Sequence, residues 1–379
     1  MSRETPKPLC LIVSTVASGG STGAAVRRDA LEALDRGMRV VVASGRASLP
    51  AELKRMGVRH ISIGSRIDAD DHYLLARLFD AEGRGSILAT LRFLAVEKDL
   101  RPERIILHNL HGHYLNLRLF VRRLQQEARR GVEIVWTMHD FWPVTGHCAF
   151  LPHEGCLRFT EEAGGCRDCP MTKAYPASIV DRSARNFARK RALLAPLADA
   201  IKVRAVSRWQ AALLRRSFLG KARIEVCSPA PDPVFTPLPA AAFRPGFVLC
   251  AAYPWQKYKG LDDLKALREA IPADVDMLVV GVSKRQARKL RPLGIICAPL
   301  QDKPEKMAWY FRNASVFVNP SYAETYGLTT REALACDTPV ALYAVGGAIE
   351  GIEDHPKVRA VPCGDVAALA RAALELRAL

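Results

Sequence analysis

No apolar run in this sequence approaches the roughly 20 residues that a bilayer-spanning helix requires. The stretch Ile87–Val96 is interrupted by Arg92, and the residues before Leu9 are polar and contain proline. The short run Leu9–Val13 leads into a glycine-rich turn, so it reads as a first strand and not as the core of a secretion signal. Cytoplasmic placement is therefore the expectation. Internal repeats and low-complexity tracts are lacking, which excludes solenoids and long compositionally biased arms. Acidic residues are in deficit: 39 Asp and Glu stand against 55 Lys and Arg, a net charge of +16. That balance favours an anionic partner, whether nucleic acid, a membrane face or a phosphate-bearing substrate. No recognition motif with interleaved aromatics accompanies the charge, so nucleic acid is not the expected partner. The ten cysteines need not form a disulfide framework, because a chain of 379 residues is large enough to bury a core without one.

What is present is a rhythm. Short apolar runs fit strands at 9–15, 39–45, 59–64, 105–110, 133–139, 202–207 and 223–228, with helices at 22–36, 69–99, 114–130, 181–197 and 208–219 between them. The rhythm restarts with strands at 247–253, 276–282, 295–299, 315–319, 338–343 and 358–362 and a last helix at 366–378. Such alternation predicts an α/β fold of two Rossmann-like, doubly wound domains. Residues 1–232 form the first, with a cysteine-rich insertion at 146–172, and residues 247–379 the second. The proline-dense stretch 233–246 reads as a linker, since proline at that density suits neither helix nor central strand. Two such domains would face each other across a cleft, with ligands at the carboxyl ends of the strands.

The most informative stretch runs from Asn319 to Leu334. Glu324 falls in a strand-to-helix loop and Glu332 in the early turns of the helix. Carboxylates accept hydrogen bonds from sugar hydroxyls, and the backbone N–H groups of Thr325, Tyr326 and Gly327 at the helix start suit a phosphate. The same spacing also describes a capped, solvated helix. The Glu-x7-Glu spacing, followed by Ala-Leu-Ala, Thr338-Pro-Val and Gly346-Gly347, resembles the donor-site signature of retaining family-4 glycosyltransferases with the GT-B fold. The resemblance implies that Glu324 lies by the donor sugar and Glu332 on the nucleotide ribose. This chain has Asp337 where the family usually has glycine.

The family also places cations for the diphosphate in a loop ending Lys-Gly. Lys259-Gly260 matches; the usual upstream Arg is absent, and Lys257 stands as its substitute. Near the amino terminus, Gly19 and Gly20 open a helix, and the resemblance implies a loop facing the donor phosphates. His139 ends a strand in Trp136-Thr-Met-His-Asp140, and the resemblance places it near the acceptor or donor sugar. His108, His111 and His113 end another strand and are read as cleft lining.

Cys148, Cys156, Cys166 and Cys169 fall within 22 positions, ending in Cys-x-x-Cys. Four thiolates complete a tetrahedral shell, so a structural zinc is an expectation; unrelated buried and free thiols are the other reading, and His147 or His153 is an alternative ligand. Together with Trp136–Cys148 and Tyr175-Pro176-Ala177-Ser178, this block resembles bacterial exopolysaccharide glycosyltransferases of the colanic-acid type. Arg182, Arg185 and Arg189, with Lys190 and Arg191 beside them, and then Arg215, Arg216, Lys221 and Arg223, make the first domain basic. They are either a solvated surface or an attraction for anionic lipid headgroups or a lipid-diphosphate acceptor. The expected partners are a UDP- or GDP-sugar, a glycan or lipid-linked acceptor, and an anionic membrane face. No Asp-x-Asp pair stands out, and the transfer chemistry is expected to need no cofactor. Asp70-Asp71 and Asp262-Asp263 read as helix-start acids.

Overall fold

The computed structural model describes residues 7–151, 155–238, 246–301 and 303–378. The chain divides into two compact units, the first running to Leu151 and over Cys156–Cys227, the second over Ser228–Leu379. Each contains a parallel sheet.

In the first unit the strands are β1 (Leu9–Val16), β2 (Arg39–Arg46), β3 (Arg59–Ser62), β4 (Arg104–Leu107), β5 (Glu133–Met138), β6 (Ile201–Ala205) and β7 (Arg223–Val226). Their order is β3-β2-β1-β4-β5-β6-β7. Parallel strands covered on both faces read as continuous apolar runs, and β1 shows why. Leu9, Leu11 and Val13 enter one core with Trp136 and Phe120. Cys10 and Ile12, pointing the other way, enter a second core with Val26, Ala30 and Val42. The helices are α1 (Gly20–Asp35), α2 (Ala51–Arg55), α3 (Arg66–Phe79), α4 (Ile87–Leu100), α5 (Leu117–Arg129), α6 (Ser183–Leu194) and α7 (Arg208–Arg215).

The single helix expected over 69–99 is two. The chain breaks at Asp80–Ser86, where Asp80, Gly83 and Ser86 take positive φ angles of 48°, 75° and 52°. The break is held from outside the segment: Asp80 accepts from the Arg182 N–H at 2.9 Å, and its carbonyl from Asn186 at 2.7 Å. α3 itself starts earlier than expected, capped by Ser65 accepting from the Asp68 N–H, so Asp70 and Asp71 lie past the helix start.

The second unit orders its strands β10-β9-β8-β11-β12-β13. They are β8 (Phe247–Ala251), β9 (Met277–Val280), β10 (Ile295–Ala298), β11 (Ala314–Asn319), β12 (Val340–Tyr343) and β13 (Val358–Val361). Around them lie α8 (Asp263–Ala270), α9 (Lys284–Leu290), α10 (Pro304–Asn313), α11 (Leu328–Ala335) and α12 (Val366–Arg377). The boundary falls at Cys227–Ser228 and not at 232. The described part of the proline-rich stretch is packed: Phe235 is buried in the second core, and Arg312 donates to the Val234 and Thr236 carbonyls at 2.6 and 2.7 Å. Residues 239–245 of that stretch, and His153, lie outside the described residues. Asp337 takes the left-handed conformation, φ 64°, that glycine adopts more cheaply, and its carboxylate receives Lys357.

Candidate functional site

In the second unit two loops at the carboxyl ends of neighbouring strands β8 and β11 are joined residue by residue. The Tyr322 N–H donates to the Tyr258 carbonyl at 2.9 Å. Gly260, at φ 75°, lies where a Cβ would come 2.2 Å from the Pro320 carbonyl oxygen, so only glycine permits the approach. Across this seam Lys259 Nζ donates to Glu324 Oε1 at 2.6 Å, with side-chain exposures of 16% and 15%. Two residues named from motifs 65 positions apart are thereby one ion pair. Lys257 is exposed on the same short turn, Lys257–Lys259.

The next layer supports the loops. The Glu324 carbonyl accepts from the Gly347 N–H at 3.1 Å, drawing in the glycine pair after β12. Arg331, buried on α11, spreads its guanidinium over the carbonyls of Tyr326, Ala348, Gly347 and Glu350 and stacks on the Tyr326 ring at 4.3 Å. Asp262 and Asp263 start α8, as expected, and Asp263 in addition accepts from Tyr322 at 3.1 Å and Tyr343 at 2.8 Å. Arg331 and Asp263 carry no spacing signal, because their partners are backbone carbonyls and distant tyrosines.

α11 starts at Leu328, with Gly327 at φ 74° as its N-cap and no side-chain cap. Its leading N–H groups are thus those of Leu328 and Thr329, one to three positions later than Thr325 to Gly327. An uncapped helix start attracts an anion through these donors and the helix dipole. Glu332, in the second turn, is largely buried; burial first and the Asp232 carboxylate second raise its pKa to about 7.

In the first unit Gly19 is the N-cap of α1 at φ 84°, and Gly20 opens the helix at φ 61°; again no side chain caps it. A Cβ at either position would meet nothing within 4 Å, so the demand is conformational. His139 follows β5. Its Nε2 lies 2.9 Å from His108 Nδ1, and His108 Nε2 lies 3.2 Å from the Asp29 carboxylate, itself bound by Arg204 at 3.0 Å. Burial first, then His108, lowers the His139 pKa to about 3, so its imidazole is neutral at ordinary pH.

The other strand-end histidines are buried against carboxylates and not solvent-facing lining. His111 pairs with Asp140 at 2.7 Å and His113 with Glu82. His72, Glu82 and His113 bring ligand-type atoms within 4.8 Å of one another. His72 is already committed, since its Nδ1 meets Ser86 at 2.9 Å and its Nε2 accepts the Gly83 N–H at 3.1 Å.

Of the four grouped cysteines, Cys148 and Cys169 are hydrogen-bonded, and the Gly146 N–H reaches Cys166 Sγ at 3.2 Å. No three of the four sulfurs lie within 4.8 Å of one another. Among the basic residues, Lys190 is not on the surface. It is 5% exposed, with Nζ on the Trp142 carbonyl and 3.7 Å from the centre of that ring.

Residues 244–378 match the family described as glycosyl transferases group 1. Over 130 residues the chain is 34% identical to the putative colanic acid biosynthesis glycosyl transferase WcaC of Escherichia coli K12, covering 34% of this chain and 30% of that protein. Over 158 residues it is 35% identical to D-inositol 3-phosphate glycosyltransferase of an Arthrobacter species, covering 35% and 36%. The chain thus spans about a third of the length of these curated relatives. The fold is shared more widely. Sucrose-phosphate synthase from Thermosynechococcus elongatus superposes with a TM-score of 0.66 at 18% identity, over 98% of this chain and 90% of that one. WaaG, a glycosyltransferase involved in lipopolysaccharide biosynthesis, gives 0.66 at 14% over 98% and 90%. Anabaena HepE in complex with UDP-glucose gives 0.63 at 15% over 97% and 89%. Residues 244–378 thus resemble the group 1 glycosyl transferases, in a chain whose two parallel-sheet units share the GT-B fold of these solved structures.

Proposed function

We propose that this protein transfers a sugar from a nucleotide diphosphate donor, UDP- or GDP-linked, to a glycan or lipid-linked acceptor in surface polysaccharide synthesis, with retention of anomeric configuration. The observation that carries the reading is the Lys259–Glu324 pair on joined strand-end loops of the matched domain. In this reading Lys259, with Lys257 beside it, balances the leaving diphosphate, the N–H groups at Leu328 and Thr329 add donors, and Glu324 faces the sugar. Such fixed donors act most strongly where charge develops, on the departing diphosphate. Glu332 accepts from the ribose hydroxyls. Within the first unit, Gly19 and Gly20 leave the start of α1 uncapped and His139 carries a neutral imidazole. WcaC and WaaG support the polysaccharide assignment by their named pathways, and HepE supports a UDP-sugar donor by the ligand it holds.

A peripheral contact with an anionic membrane from the cytoplasmic side belongs to the same reading. Ile67, Tyr73 and Leu74 of α3, Leu88 and Leu91 of α4 and Ile179 are exposed apolar side chains. α3 is joined to the loop that carries Ile179 by the Ile179 N–H on the Arg77 carbonyl at 2.8 Å, and to α4 through His72 and Ser86. Arg66 and Arg92 are exposed on α3 and α4, and Arg185 on α6, a composition suited to headgroups.

A thermal-shift screen with UDP, GDP and their sugars, followed by transfer assays and NMR of the product anomer, tests the proposal. A ligand at 100 times its Kd stabilises by about 2.7 kcal/mol. No shift with any nucleotide, or turnover undiminished in Glu324→Ala, overturns it.

A further inference from the structure

We propose that Cys148, Cys156, Cys166 and Cys169 bind one structural zinc ion that orders the segment between β5 and α6. Residues 139–182 contain no helix or strand among the described residues. They nevertheless bury Phe141, Trp142, Val144, Ala149, Leu151 and Phe159. A segment of that length without ladders of its own needs another source of order, because few of its backbone groups are paired in regular structure.

Two of the four thiols are already in contact. Cys148 Sγ donates to Cys169 Sγ. Peptide N–H groups are aimed at sulfur: that of Gly146 at Cys166, and that of Met171 at Cys169. The backbone around them has no slack. A Cβ on Gly146 would come 2.2 Å from the Ser183 carbonyl oxygen and 2.8 Å from Cys166 Cβ. One on Gly165 would come 2.6 Å from the Phe187 ring, and Asp168, inside Cys-x-x-Cys, turns through a left-handed φ of 45°.

Charge is matched as well. Zinc with four thiolates is a dianion, and the neighbouring Lys190 ammonium is buried on a neutral carbonyl and an indole face. Four soft sulfurs select zinc among the common divalent ions, in a tetrahedron with Zn–S of about 2.3 Å and sulfurs roughly 3.8 Å apart. The Cys148–Cys169 pair is in contact, and χ1 rotation, which carries a cysteine sulfur about 3 Å, is the adjustment by which Cys156 and Cys166 would join it. Binding replaces the four thiol protons, which leave to solvent, with one Zn²⁺; no redox step is involved. His147 lies outside the shell, with Nδ1 fixed on Asp80 at 2.6 Å.

The test is elemental analysis of the full-length protein purified without added metal, before and after exhaustive dialysis. About one zinc per chain is expected, falling below a tenth in Cys166→Ser/Cys169→Ser. Cobalt substitution of the wild type should give intense sulfur-to-cobalt charge-transfer bands with the strong visible absorption of a tetrahedral four-sulfur site. Chelation should lower Tm by roughly 5 °C or more, with recovery on adding zinc but not magnesium. These readouts do not involve sugar transfer, so they stand or fall apart from the proposed activity. Should the double variant fail to fold, the cobalt spectrum and the chelation series on the wild type decide. A folded protein free of zinc and cobalt, zinc retained in the double variant, a Cys148–Cys169 disulfide found by mass spectrometry, or iron with acid-labile sulfide each overturns the proposal.

Discussion

Lys259 Nζ lies 2.6 Å from Glu324 Oε1, so the cation assigned to the donor diphosphate already has a counter-ion. A donor must compete for that ammonium. Glu324→Gln should therefore bind UDP or GDP severalfold more tightly by calorimetry, while transfer falls. Lys259→Ala should lower kcat/KM by roughly 10²–10³. Equal weakening of nucleotide binding in both variants would contradict the competition.

Glu332 carries a pKa raised to about 7, so its ionised fraction grows between pH 6 and 8. A carboxylate accepts from ribose hydroxyls better than a carboxylic acid does. Nucleotide affinity should thus increase over that range and become flat in Glu332→Gln. Stability should move oppositely. The folded protein binds this proton more tightly than the unfolded chain, so stability is lost as pH rises from about 4.5 through 7. Denaturant titrations should find Glu332→Gln the more stable protein at pH 8 by about 1–3 kcal/mol, and not at pH 5.

His139 has the reverse sign. Its folded pKa of about 3 lies below the ordinary 6.5, so the unfolded chain binds the proton first on acidification. Its contribution is complete above pH 6.5 and is lost toward pH 3. Between pH 7 and pH 5, His139→Gln should lose about 2 kcal/mol less stability than the wild type in urea unfolding.

Gly260→Ala places a methyl against the Pro320 carbonyl at a φ of 75°. The backbone penalty alone is about 1–2 kcal/mol. The seam between the two loops should open, lowering Tm and abolishing nucleotide-induced stabilisation in the same thermal-shift experiment.

Ile67→Asp combined with Leu88→Asp, at positions 74% and 66% exposed, removes no core contact. The double variant should keep its Tm and lose co-sedimentation with phosphatidylglycerol vesicles. Retained binding would place the membrane contact elsewhere.

The sheets were legible in the sequence because buried parallel strands are written as runs such as Val40-Val-Val and Met277-Leu-Val-Val, bounded by polar turns. Glu324 and Lys259 were legible through motif spacing. The Asp80–Ser86 break was not: helical periodicity runs through it, and what interrupts the helix is an aspartate held by residues about a hundred positions away. The histidine pairs were equally hidden, since Asp29, Glu82 and Asp140 meet their imidazoles only after the strands are aligned.

Arg331 grips the loops through carbonyl oxygens, which every amino acid supplies. Residue 350 enters that grip through its backbone, whereas Tyr326 also supplies its ring and Ala348 its place in the core. The side chain at position 350 can change while the mould that presents it keeps its shape. Lysine in place of Arg331 would end that freedom, because an ammonium lacks the planar fork that spans several carbonyls at once.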